Sequence, residues 1–65
     1  MYNLKKRREK LSLTQKQVAG MLNIDQRLYQ YYEAGRIKPN VDTAIRIAEV
    51  LKTTVEKLFK DNSIL

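Results

Sequence analysis

The chain has 65 residues, so one domain is the only sensible count. Thirteen basic residues against seven acidic ones leave +6, and 43% hydrophobic with 31% charged is a globular composition rather than a disordered one. With no Cys and no His, disulfides, thiolate metal sites, a Cys nucleophile and the commonest general base are excluded.

No apolar run approaches the roughly 18 residues that span a bilayer. The opening MYNLKKRREK is charged and has no apolar stretch of the kind a signal peptide needs, so a cytoplasmic location is the default expectation. Residues 1–38 carry nine basic and three acidic side chains, while residues 39–65 carry four of each. All of the excess therefore lies in the N-terminal part. Such asymmetry fits a polyanionic partner for one part and an assembly role for the other; a basic surface that only aids solubility is the plainer alternative.

The apolar spacing is helical throughout, with no hairpin signal and no alternating run of strand length. The first helix spans about residues 3–11, with Asn3 as cap and Leu4, Arg8 and Leu11 on one face. Ser12 and Leu13 form a break. Thr14 and Gln17 have the spacing of a capping box, opening a second helix over 15–22 with Val18, Ala19 and Leu22 on its apolar face. Asn23 suits the left-handed residue that ends it.

Asp25 caps a third helix over 26–34, where Tyr29 and Tyr32 face inward, and Gly35 ends it. The loop Gly35–Pro39 carries the cations Arg36 and Lys38. Asn40 caps a fourth helix over 41–51 with apolar positions Val41, Ala44, Ile45, Ala48 and Leu51. Thr54 caps a short fifth helix over 55–60 holding Val55, Leu58 and Phe59, followed by a flexible tail over 61–65. The predicted fold is all-α: one domain, residues 1–65, of five short helices.

Helices two and three are separated by about three residues, with an Asn at the left-handed position and Ala19 small enough for close approach. Two helices crossing steeply around Val18, Ala19, Leu22, Ile24, Tyr29 and Tyr32 make a helix-turn-helix, an arrangement whose second helix enters the DNA major groove.

Four blocks then resemble a known family. Leu13-Thr14-Gln15-Lys16-Gln17-Val18-Ala19 is similar to its Leu-Ser/Thr-Gln-x-x-Leu/Val-Ala. Ile24-Asp25 through Tyr32-Glu33-Ala34-Gly35 is similar to its recognition-helix block. Pro39 through Ala48 resembles its Pro-Ser/Thr-Leu-x-Thr-Leu-x-Lys-Ile-Ala, and Val55-x-x-Leu58-Phe59 its final helix. The family is the Cro-type, lambda-repressor-like (XRE) helix-turn-helix family, and the resemblance runs from about Asn3 to Phe59 in correct order and spacing.

The resemblance implies a five-helix lambda-repressor-like domain that binds double-stranded DNA as a transcriptional regulator, with a repressor the expected kind. Base contacts fall to Gln26, Arg27, Gln30 and Tyr31: Gln pairs with adenine and Arg with guanine in the major groove. Phosphate contacts fall to Gln15, Lys16, Arg36, Lys38 and Arg8. For each, a solvated polar surface is the alternative. Arg8 and Glu33 match a pair that bridges helix one to the end of helix three and orients it. Lys5, Lys6, Arg7 and Lys10 are expected mainly to add field.

The chain departs from the pattern at Tyr29, where a small aliphatic residue is usual, so its phenol must find a hydrogen bond or reach the surface. Leu28 replaces a small polar residue, as a thymine-methyl contact or as packing. Lys52 stands in place of a frequent Gly, and Gly20 weakens helix two without evident reason.

One recognition helix reads few base pairs, and relatives bind palindromic operators as dimers. Val55, Leu58, Ile64 and Leu65 are the candidate dimer residues, with Ile47 and Val50 as further candidates. The other reading is an antitoxin or adaptor module of the same fold acting through a protein partner. An enzyme is not expected, since Ser12 and Ser63 have no His and no glycine-rich phosphate loop exists. No cofactor, metal, membrane or small-molecule ligand is expected.

Overall fold

In α1 (Leu4–Lys10) two inward positions, Leu4 and Arg8, are one helical turn apart, and both are buried. The structure, a computed structural model, describes residues 3–59. Four more helices follow: α2 (Gln15–Leu22), α3 (Gln26–Ala34), α4 (Val41–Val50) and α5 (Val55–Phe59). The expected Lys60 end of the last helix, and the tail over 61–65 with Ile64 and Leu65, lie outside the described residues.

Local chemistry explains most of the boundaries. Thr14 Oγ1 accepts from the Gln17 N–H at 3.0 Å, and Gln17 Oε1 accepts from the Thr14 N–H at 2.8 Å, closing the capping box. Asp25 Oδ2 accepts from the Arg27 N–H at 3.1 Å, and Asn40 Oδ1 from the Thr43 N–H at 2.8 Å. Thr54 Oγ1 accepts from the Lys57 N–H at 3.2 Å.

Asn3 departs from its expected role. Its side chain makes no cap bond to α1; its Nδ2 donates instead to the Lys57 carbonyl at 3.1 Å, and its N–H to the Leu58 carbonyl at 2.9 Å. Asn3 therefore ties the start of α1 to α5.

Each of the four breaks between helices contains one left-handed residue: Ser12, Asn23, Gly35 and Lys52. Gly35 takes this conformation without a Cβ penalty and Asn23 at a small one, whereas Ser12 and Lys52 bear the strain of a side chain there.

The core gathers Leu4, Val18, Ala19, Leu22, Tyr29, Tyr32, Ile47, Ala48, Leu51 and Leu58. Burial of each large apolar side chain contributes about 1.5–3 kcal/mol. Helix α2 packs on α3 and α4, α1 on α3 and α5, and α4 on α5.

The buried side of α4 differs from the expected one. Ala44, Ile47, Ala48 and Leu51 are buried, whereas Val41 is 74% and Ile45 44% exposed. Positions 44, 47, 48 and 51 form a complete i, i+3, i+4, i+7 stripe, and α4 turns that one inward. Ile47 is thus core and is not available as a dimer surface. Leu58, a candidate dimer residue, is 1% exposed and closes the core within the chain.

Candidate nucleic-acid interface

The outward side of α3 follows from its inward one. Tyr29 and Tyr32 are buried and anchor the helix, which leaves Gln26, Arg27 and Gln30 exposed on the opposite side. Together with Asp25 these three line one open depression. Tyr31, at the edge of the same side, is half-buried. Leu28 is packed against the core, which favours packing among its two readings.

Asp25 bears on what the start of α3 can bind. Its carboxylate already accepts an N–H there, so this helix end is capped from within by a negative charge. The start of α2 differs. Its capping box uses the N–H groups of Thr14 and Gln17 and leaves those of Gln15 and Lys16, and the Lys16 residue is exposed.

Arg36 and Lys38 are both exposed in the loop after α3. The loop leaves the helix in a fixed way. The Gly35 N–H donates to the Tyr32 carbonyl at 3.2 Å and the Arg36 N–H to the Tyr31 carbonyl at 3.0 Å, a left-handed closure centred on Gly35. The cations thus follow directly from the end of the exposed helix.

Beneath α3 lies a polar cluster. Arg8 Nε donates to Glu33 Oε2 at 2.5 Å and Arg8 Nη2 to Glu33 Oε1 at 3.3 Å, a two-pronged fork between side chains 10% and 5% exposed. Arg8 Nη1 donates to the Leu13 carbonyl at 2.8 Å. Every nitrogen of this guanidinium is engaged inside the protein. Arg8 therefore holds α1, the α1–α2 break and α3 together, and the phosphate contact expected of it is not what this geometry offers.

Gln15 belongs to the same cluster: its Nε2 donates to Glu33 Oε1 at 2.9 Å. The side chain expected to meet a phosphate thus reaches inward, and half of its donor capacity is already used.

Burial alone would raise the Glu33 pKa, but the bonds from Arg8 and Gln15 and the neighbouring Tyr29 hydroxyl hold it below its ordinary value. Burial, reinforced by the Glu33 carboxylate, pushes the Tyr29 phenol well above its ordinary range. Tyr29 does not reach the surface. Its residue is wholly buried, and its hydroxyl, beside Arg8 and Glu33, closes no hydrogen bond of ordinary geometry.

Two residues here escaped the sequence reading. Arg7, expected mainly to add field, donates from Nε to the Leu51 carbonyl at 2.8 Å and from Nη2 to the Lys52 carbonyl at 2.6 Å. Arg46 donates from Nη2 to the Leu22 carbonyl at 2.6 Å. Each bond joins residues more than twenty positions apart, so periodicity and local spacing hold no trace of them.

A family model described as helix-turn-helix matches residues 4–58. The chain belongs to the XRE-type helix-turn-helix family. Within that family it is similar to an uncharacterized HTH-type transcriptional regulator, YqaE, of Bacillus subtilis (strain 168), at 38% identity over 61 residues. The match takes in 94% of this XRE-type chain and 53% of the relative, so the chain spans about half the length of that protein. The matched region, residues 4–58, contains α1 through α4 whole, the Arg8–Glu33 pair and the exposed edge of α3.

Proposed function

We propose that this chain is a sequence-specific, double-stranded-DNA-binding transcriptional regulator, a repressor that binds a palindromic operator as a dimer. The observation that carries the reading is the exposed edge of α3, where Gln26, Arg27 and Gln30 stand clear of a core-locked helix. Two side-chain types suited to adenine and guanine edges share one side of one helix. The likeness to a named transcriptional regulator supports the regulatory part.

In this reading α3 lies in the major groove and Tyr31 contacts the groove wall. Lys16, with the first N–H groups of α2, meets a phosphate on one side, and Arg36 and Lys38 meet the backbone on the other. Gln15 adds a phosphate contact through the donor that Glu33 does not use. Arg8 and Glu33 orient α3 and stay off the DNA. No bond is made or broken, and no cofactor takes part.

Dimerisation supplies the second half-site. Val55, 36% exposed on α5, is the member of the expected dimer set that the described residues leave at the surface.

Selection of duplexes from a random pool tests the proposal; a two-fold symmetric consensus is the expected result. On the selected duplex, Gln26→Ala loses about 1–3 kcal/mol and relaxes preference at one base pair per half-site. Arg36→Ala weakens binding to all sequences alike and lowers the salt slope by roughly one. Equal effects of both substitutions on every duplex would sink the assignment.

The protein-partner reading draws on exposed Met21, Val41 and Ile45. It takes precedence if no duplex is enriched and the chain instead forms a stoichiometric complex with a co-expressed protein.

A further inference from the structure

Three arginines end on main-chain carbonyls at breaks between helices: Arg8 on Leu13, Arg7 on Leu51 and Lys52, and Arg46 on Leu22. The last of these falls on the turn that sets α3. Leu22 closes α2, and the donors of the turn bypass its carbonyl. The Asn23 N–H goes to the Gly20 carbonyl at 3.2 Å and the Ile24 N–H to the Ala19 carbonyl at 3.0 Å. At the negative end of α2, then, the Leu22 carbonyl has no main-chain donor from the turn, and the Arg46 guanidinium supplies a charged one at 2.6 Å.

The side chain comes from α4, whose Ala44, Ile47 and Ala48 are buried in the core. The bond therefore ties the turn to the body of the protein rather than to another loop. Only Asn23, Ile24 and Asp25 separate the clasped carbonyl from the first residue of α3.

We infer that Arg46 is a positioning residue: by holding the α2–α3 turn on α4 it fixes the angle at which α3 presents Gln26, Arg27 and Gln30. The inference rests on the DNA-reading role proposed above and adds a residue to it. Arg46 belongs to the charge-balanced part of the sequence, residues 39–65. Its work is done on the protein's own carbonyl rather than on a phosphate.

The test uses the full chain with Arg46→Met, which keeps an apolar stem, and Arg46→Lys, which keeps one charged donor. Binding is measured across salt concentrations on two probes: a duplex enriched by this chain from a random pool, and a scrambled duplex of the same composition. Amide hydrogen exchange is measured without DNA. Arg46→Met is expected to lose about tenfold on the selected duplex, the scale of one charge-assisted hydrogen bond, with the scrambled duplex and both salt slopes unchanged. Exchange should speed up at Asn23–Arg27 while Ile47 and Leu51 keep their protection, and Arg46→Lys should recover part of both effects.

Equal weakening on both duplexes with a salt slope lower by roughly one would make Arg46 a phosphate contact and overturn the inference. Uniformly faster exchange with an unchanged ratio between the duplexes would reduce it to a general stabiliser and overturn it as well. If the unaltered chain prefers no duplex, the DNA-reading role fails by itself. The exchange data then still decide whether Arg46 holds the turn: local speeding supports this and its absence overturns it.

Discussion

Glu33 accepts hydrogen bonds from two side chains, Arg8 and Gln15, inside the protein. Its folded pKa is lowered against its ordinary value, so the sign of its pH dependence follows. The stabilising contribution is complete above the ordinary glutamate range and drains away as pH falls through the lower, folded value. At neutral pH, Glu33→Gln should cost roughly 3 kcal/mol, because it leaves Arg8 buried beside a neutral partner. Urea unfolding of the two proteins from neutral to acid pH should show the gap narrowing as the wild-type carboxylate is protonated. A gap that holds constant into acid would mean Glu33 does not titrate as its surroundings dictate.

Two backbone positions point the other way, toward gains. A Cβ at Gly20 would meet nothing within 4 Å, so Gly20→Ala should stabilise by about 1 kcal/mol through helix propensity alone. Lys52 sits at φ 56, where a side chain is strained, and only its backbone carbonyl is used by Arg7. Lys52→Gly should therefore raise stability by about 0.5–1 kcal/mol, read as a higher urea midpoint.

Among the elements, α4 separates what spacing alone can decide from what it cannot. Its sequence carries two overlapping apolar stripes, one through Val41 and Ile45 and one through Ala44, Ile47, Ala48 and Leu51. Both satisfy helical periodicity, and only packing against α2 and α5 chooses the second. Ile47→Ala should cost about 2–5 kcal/mol, whereas Ile45→Ala should change stability by less than about 0.5 kcal/mol. Comparable losses for the two would place the core on the wrong stripe.

By contrast, α2 and α3 were legible in advance. The Thr14–Gln17 box, Asn23, Asp25 and Gly35 are local signals, each satisfied within a few residues along the chain. The exposure of Gln26, Arg27 and Gln30 followed from the inward Tyr29 and Tyr32. Gln15 was not legible in the same way. Its turn toward Glu33 spans 18 residues, and no spacing rule reaches that far. The positive φ of Ser12 and Lys52 was hidden for the opposite reason: neither residue type advertises the conformation that tertiary packing imposes on it.

Over the whole molecule, the side chains behind the formal charge of +6 are not all used alike. Of the five arginines in the sequence, Arg7, Arg8 and Arg46 point into the protein's own backbone and carboxylate. Arg46 is nonetheless exposed, as are Arg27, Arg36, Lys16 and Lys38. The arginines thus divide by whether they bond within the protein, not by exposure.

The contacts of Asn3 with Lys57 and Leu58 close the helices into a loop, the residue before α1 against α5. Connectivity along the backbone is then one of several routes around the same ring. A circular permutant in which a glycine–serine bridge joins Phe59 to Asn3, reopened between Ile37 and Lys38, breaks no side-chain hydrogen bond described above. It should refold to the same helical content and retain most of its resistance to urea. If cutting there instead abolished cooperative unfolding, the α3–α4 segment would be the strut that keeps the ring shut.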